Sequence, residues 1–296
     1  MIGEDYIIDR FRLKNSANRW RFFATFLLIA FVFLFVCRSN DIKEMGQNYI
    51  ASVNVAGILM QNQEVLESLN KIRKKDNIKA VVVNINSPGG TAVGGESLYR
   101  AFREIAKKKP IVASIGELGT SAAYMAALGT DRIFAYESSL TGSIGVMLQN
   151  IEVSDLAKKY GINLELFKSS PLKGIPNHFE KLDDTQKEYV QSLINDSHQF
   201  FVQKVKQRKN FSDEELETIA DGRVFIGIRA HKLRLVDQLG GKEEAIKWLK
   251  SNNDKIKNLK VSNIDLIKPT SKLQRLLDYS NNILLFFINS FSKAIV

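Results

Sequence analysis

The sequence has a single cysteine, Cys37, in 296 residues. That excludes a disulfide framework and any metal centre built on cysteines. Its three histidines, His178, His198 and His231, show no metal-ligand spacing. Neither a G-x-G-x-x-G run nor a G-x-x-x-x-G-K loop occurs, so the usual phosphate-cradling signatures are missing. There is no internal repeat. Lysine and arginine outnumber aspartate and glutamate by 42 to 32, a net charge of +10. No long basic run with interleaved aromatics accompanies that excess, so it reads as a solvated face drawn to anionic lipid rather than as a nucleic-acid footprint. Its densest cluster, 107–109, closes an expected helix, where cations suit the dipole.

What is present begins with an apolar run over 22–37, ended by Arg38. Sixteen helical residues reach about 24 Å, short of a hydrocarbon core of about 30 Å, and Trp20, Arg21 and Arg38 can supply the rest from the interface. The run leaves no polar face, which argues against a helix packed on a soluble domain. The exit, Cys-Arg-Ser-Asn-Asp, has no small-residue cleavage site, and Val36 fits a lipoprotein site poorly. The expectation is therefore an uncleaved anchor over 22–38 behind an N-terminal segment 1–21. Arg10, Arg12, Lys14, Arg19 and Arg21 outnumber Arg38 and Lys43, so the N-terminus stays cytoplasmic and the remainder crosses the membrane.

From residue 49 onward, strand patterns alternate with helix patterns. Residues 49–59 alternate as a strand, 65–75 carry helical spacing, and 78–85 are a β-branched run suited to a strand buried on both faces. A turn over 86–90, an amphipathic helix over 96–108, a strand over 111–115 and a turn over 116–120 follow. A helix over 122–128 and a strand over 132–136 come next. This alternation predicts an α/β fold with a mainly parallel sheet, whose sites form at the carboxyl ends of strands. Gly89-Gly90 and Ser121 both lie at such ends. Ser121 stands where a strand becomes a helix, beside free N–H groups, and is either an N-cap or a nucleophile with an oxyanion site at hand. Residues 162–168 alternate like a further strand. Lys173 follows in a loop with Pro171, Leu172, Ile175 and Pro176, where desolvation would favour its neutral amine. Capping-box patterns at Thr185/Glu188 and Ser212/Glu215 open two more helices. A last helix covers 243–250. Residues from 251 on read as a linker or tail with a short apolar stretch at 283–288.

Ser-Pro-Gly-Gly (87–90), the Ser121 stretch, Thr-Gly-Ser-Ile-Gly-Val (141–146), the Lys173 loop and Asp-Gly-Arg-Val-Phe (221–225) occur in this order. Together they resemble the signal peptide peptidase A proteins of the short, single-repeat bacterial type, in peptidase family S49. The resemblance covers about residues 49–250. It implies a ClpP/crotonase-like peptidase domain over 46–250, preceded by one transmembrane helix and followed by the tail 251–296. It implies Ser121 as nucleophile, Lys173 as general base, and Ser143 as the hydroxyl that orients the lysine. Gly90 and Ser121 are implied as the backbone donors of the oxyanion hole. Lys168 matches the lysine opening the same K-S-x-x-x-K motif. No metal or cofactor is implied. The implied partners are membrane lipid, cleaved signal peptides or other apolar peptides, and further copies of the chain, in a ring or dome with active sites at subunit boundaries. The implied place is the bacterial inner membrane, with the catalytic domain on its extracytoplasmic side.

The sequence departs from the family pattern where Ala122 and Ala123 replace glycines after the nucleophile, and where Arg234 replaces a glycine before Leu-Val-Asp. Two other readings follow from the residues. One is a crotonase-like membrane scaffold weakened in catalysis by those alanines. The other is a Ser/His/Asp hydrolase with Ser121 in a degenerate elbow.

Overall fold

The computed structural model describes residues 20, 24–28 and 47–267. The chain separates into two units, Met1–Asn48 and Tyr49–Val296. In the first unit, residues 20 and 24–28 are helical. Among the described residues no helix is long and apolar enough to cross a membrane. Most of the expected anchor over 22–38, and the apolar stretch 283–288, lie outside them.

The second unit is built on one sheet. In chain order its elements are β1 (Tyr49–Leu59), α1 (Gln63–Lys74), β2 (Ile78–Gly90), α2 (Ala92–Ala106), β3 (Ile111–Thr120), α3 (Ala122–Leu128), β4 (Arg132–Ala135) and β5 (Leu140–Gly142). Then follow α4 (Ser154–Lys159), α5 (Asp184–Lys209), α6 (Asp213–Ile219), β6 (Val224–Ile226), α7 (Gly227–Lys232), β7 (Gln238–Leu239), α8 (Lys242–Ser251) and β8 (Lys260–Ile264). The strand order is β6-β5-β3-β2-β1-β8, with β4 pairing both β3 and β7. Every pairing is parallel except β5 with β6. The fold is thus α/β with a mainly parallel sheet.

Strand periodicity explains the two cores. Val53, Val81, Val83, Ile85, Ala113 and Ile115 point to one face, with Phe102 of α2 and Phe201 of α5 in the same core. Ile50, Val82, Val112 and Phe134 point to the other, with Ala245 and Leu249 of α8. Farther along that second face the same strands turn polar, and Asn84 donates to Ser52 Oγ at 3.0 Å and to Asn54 Oδ1 at 2.9 Å.

Helix α3 is buried along its whole length. It fits because α2 presents glycine to it. A Cβ on Gly95 would stand 2.9 Å from the Ala122 Cβ. Tyr124 is fully buried, burial raises its phenol well above the ordinary range, and it donates to the Leu235 carbonyl at 2.8 Å. Asp237 accepts from the Ile133 N–H at 2.8 Å and pairs with the half-hidden end of α5 through Lys209.

Several sequence expectations change in the folded chain. The segments 86–90 and 116–120, expected as turns, continue β2 and β3. Register shifts between Ala56 and Ile58 and between Ile85 and Ser87 absorb their irregular residues, so pairing persists. Residues 162–168 are not a strand. Among the described residues no strand pairs with them, and alternation alone makes no ladder. The long helix is capped by Asp183 with Gln186 rather than by Thr185 with Glu188. Beyond 250 the chain is not a plain linker: a short 3-10 turn, Asp254–Ile256, leads into β8, which pairs with β1.

Arg234 adopts φ 61°, the left-handed region that favours glycine. Its guanidinium lies 4.7 Å over the Phe211 ring and pairs with Glu215. These contacts offset a backbone cost of about 1 kcal/mol. Arg234→Ala keeps the strain and loses the contacts, so urea unfolding is expected to show a loss of about 1–2 kcal/mol. Arg234→Gly also loses the contacts but relieves the backbone, and is expected to lie about 1 kcal/mol above the alanine variant.

Candidate active site

Three strand ends converge on Ser121. It follows the last residue of β3 and precedes the first of α3. Its backbone sits at φ 53°, ψ −125°, outside the regions that non-glycine residues prefer. Strain of that kind costs about 1–3 kcal/mol and persists only where surrounding contacts impose it. The imposing contact is a hydrogen bond from the Ser121 N–H to the Gly142 carbonyl at the end of β5, 2.9 Å long. The side chain makes no capping bond to α3. The N-cap alternative therefore fails, and the hydroxyl remains half-buried and available for other chemistry.

From the other side comes the end of β2. Gly89 adopts φ 106°, and a Cβ there would stand 2.9 Å from the Ser121 Cβ, 2.9 Å from the Thr120 carbonyl oxygen and 3.0 Å from the Ala122 nitrogen. Gly90 packs equally tightly against Leu59, with no room for a side chain. The Gly89-Gly90 peptide thus lies directly against the serine, as their shared position at strand ends suggested.

Ser121 was expected to lend its own N–H, but that group is held by Gly142. The first residue of a helix has no intrahelical acceptor for its N–H, and here that residue is Ala122, whose nitrogen faces Gly89. The conformation that turns the Ser121 N–H toward Gly142 and sets the Ala122 nitrogen beside Gly89 is not written in residue types. The two alanines do not narrow the site: Ala122 and Ala123 are buried, the former against Gly95.

Ser143 follows β5 directly, half-buried, at φ 52°, with its N–H donating to the Arg223 carbonyl at 2.8 Å. Ser121, Gly90 and Ser143 are therefore gathered at the same edge of the sheet, Gly142 bonding the first and preceding the third.

Lys173 is placed differently. It stands on an exposed turn within residues 146–183, a stretch that hydrogen-bonds chiefly to itself: Val153 N–H to His178 O at 2.7 Å, Asn150 to Asn177 O at 3.3 Å. It is tied to α5 by Gln186, which donates to the Pro171 carbonyl at 3.0 Å. Lys168 pairs with Glu180, and that bond holds the Glu180 carboxyl below its usual range. Among the described residues, the Lys173 amine has no hydrogen-bond or ionic partner, and no hydrogen bond joins it to Ser121 or Ser143. The same stretch exposes large apolar side chains, Met147 at 86% and Phe167 at 94% among them. Within one chain, then, the structure brings the serine and its backbone donors together and leaves the lysine on a separate arm.

The histidines are all engaged elsewhere. His178, His198 and His231 each bond a backbone carbonyl, of Ile151, Ala220 and Val236 respectively. None bonds Ser121.

Comparison with known proteins gives consistent matches. The profile of peptidase family S49 matches residues 103–257. A candidate protease of Methanocaldococcus jannaschii is 38% identical over 181 residues, 61% of this chain and 58% of its own length. A candidate protease of Synechocystis is 35% identical over 208 residues, covering 70% of this chain and 75% of the relative. The chloroplastic serine protease SPPA of Arabidopsis thaliana is 28% identical over 216 residues, 73% of this chain but 32% of that protein. Among solved structures, a variant of the 1510-N membrane-bound stomatin-specific protease is 14% identical, covers 74% of this chain and 98% of its own, and superposes with a TM-score of 0.47.

Glycine 89 gives a direct test of this geometry. Gly89→Ala places a methyl group on the Ser121 Cβ and imposes an unfavourable φ, so a loss of more than about 1 kcal/mol in urea unfolding is expected. Gly116→Ala, where the nearest atom to a new Cβ is 3.6 Å away, is the control and is expected to match wild type within about 1 kcal/mol.

Proposed function

The chain belongs to peptidase family S49, and from that premise we propose that it is a membrane-anchored serine endopeptidase working through a Ser121/Lys173 dyad. The observation that carries this reading is Ser121 itself: a strained strand-to-helix serine, free of capping duty, with the Gly89-Gly90 peptide against it. Lys173 in its neutral form takes the Ser121 proton. The Ser121 oxygen attacks the peptide carbonyl, and the N–H groups of Gly90 and Ala122 receive the oxyanion. Each such donor is worth about 3 kcal/mol. The protonated amine then gives its proton to the leaving nitrogen, and water releases the acyl group by the same steps in reverse. Ser143 orients the amine by accepting a hydrogen bond from it.

A lysine serves as base near neutral pH only where burial disfavours its ammonium form. Lys173 is exposed in the single chain, so that burial has to come from another surface. The apolar arm around it fits a second copy of the chain, which would place Lys173 beside the partner copy's serine edge. On this reading the active form is a ring or dome of like subunits, and a monomer is inactive. Residues 22–38 hold the catalytic unit at the extracytoplasmic face of a bacterial inner membrane. The substrates are then apolar peptides released in the bilayer, foremost the signal peptides left after preprotein cleavage.

The two other readings find no support in the site. The side chains of the alanines that motivated a weakened scaffold are buried, that of Ala122 against Gly95, and every histidine is committed to a carbonyl.

The test is hydrolysis of a fluorogenic peptide of signal-peptide composition by the full chain in detergent. Ser121→Ala and Lys173→Ala are each expected to lower kcat by about a thousandfold or more. Dissociating and reassembling an equal mixture of the two is expected to restore a measurable fraction, since some boundaries then carry an intact serine and an intact lysine. A Lys173→Ala variant with wild-type turnover would remove the dyad.

A further inference from the structure

We propose that Ser87 and Thr120 are positioning residues that fix the oxyanion loop from below, an inference that rests on the peptidase reading above. Both side chains are buried, Ser87 completely, and neither is needed for the proton transfers. The two hydroxyls grip one peptide group. Thr120 Oγ1 donates to the Pro88 carbonyl at 3.0 Å. Ser87 Oγ accepts the Gly89 N–H at 3.1 Å and donates its own proton to the Gly57 carbonyl at 2.6 Å. The carbonyl and the N–H of the Pro88–Gly89 peptide are therefore both held, by side chains on opposite sides of it in sequence.

That peptide decides where the oxyanion donor points. Its plane and the Gly89 φ of 106° together set the orientation of the next peptide, Gly89–Gly90, which carries the Gly90 N–H. Gly89 has no Cβ to restrict it, so its own backbone permits other orientations at little cost. The restriction has to be supplied from outside, and the two hydroxyls supply it. Their attachment points are rigid. Thr120 ends β3 and is joined directly to Ser121, so the nucleophile and the donor loop share one anchor. Gly57, at φ 72°, sits at the bulge where β1 shifts register, which leaves its carbonyl free of the ladder to receive the Ser87 proton. The β1 bulge thus has a role in the site although it lies outside every catalytic motif.

A hydroxyl that only satisfied a buried backbone group would affect stability and nothing else. A positioning hydroxyl affects the transition state more than the ground state, because the oxyanion exists only there. The experiment uses the full chain in detergent, with Thr120→Val, Thr120→Ser and Ser87→Ala, and reads two quantities. The first is hydrogen exchange at the Gly89 amide by mass spectrometry or NMR. It is expected to rise about tenfold or more in Thr120→Val and Ser87→Ala, with Val83 in the sheet centre unchanged. The second is peptide turnover. In both variants kcat is expected to fall about tenfold to a hundredfold with KM within about twofold. Affinity for a peptide aldehyde, which forms a tetrahedral adduct, is expected to fall by the same factor. Thr120→Ser keeps the hydroxyl and is expected to restore both quantities to within about threefold of wild type. Gly89 exchange unmoved in the variants would overturn the proposal, as would raised exchange with kcat unchanged or a loss confined to KM. If wild type itself cuts no peptide, the peptidase reading falls, while the exchange measurement still decides whether the two hydroxyls hold the loop.

Discussion

The hydrogen bond from the Ser121 N–H to the Gly142 carbonyl is the contact on which the site depends. It ties the end of β3 to the end of β5 and holds Ser121 in a conformation that the residue would not choose. The consequences run in two directions. The serine side chain is pulled off the axis of α3 and cannot cap it. The next N–H, of Ala122, opens α3, where no intrahelical carbonyl can accept it, and lies beside Gly89. A single backbone bond therefore turns an ordinary helix start into a serine free of capping duty.

Holding that arrangement requires glycines from three separate stretches. Gly89 lies on the Ser121 Cβ, Gly95 makes room for Ala122, Gly90 presses on Leu59, and a Cβ on Gly142 would meet the Phe225 ring at 2.8 Å. This packing backs the hydrogen bond that imposes the Ser121 conformation. Tyr124 then pins the far side of α3 to Leu235, and Asp237 locks the same corner to β4 and α5. The scaffold around the serine is thus closely packed and tied to its neighbours. The lysine arm has the opposite character, bonded within itself, exposed and apolar. That contrast is the physical basis for reading the active site as something completed between copies.

Much of this was legible in the residues. The β-branched run of β2 and the bounds of α3 followed from periodicity and composition, and the Ser212/Glu215 capping box is found as expected. The meeting of Gly89-Gly90 with Ser121 followed from strand ends in a parallel sheet. Arg234, which stands where the family pattern has glycine, adopts a positive φ, together with the Phe211 and Glu215 contacts that composition could not announce. What could not be read were features set by tertiary hydrogen bonds. The commitment of the Ser121 N–H to Gly142 depends on which way one peptide faces. The continuation of β2 through Ser-Pro-Gly-Gly depends on a bulge in its neighbour. Residues 162–168 carry the alternation of a strand without a partner to pair with, and β8 hides in a lysine- and asparagine-rich stretch whose composition resembles a tail.

The central claim is that Ser121 is a nucleophile activated by Lys173. The most direct measurement is covalent labelling of the full chain with a peptidyl phosphonate that reacts with activated serines, followed by peptide mapping by mass spectrometry. The account predicts the adduct on Ser121 in wild type, with the rate of labelling lowered at least about a hundredfold in Lys173→Ala. An adduct on another residue, or labelling of Ser121 at an undiminished rate without the lysine, would contradict it.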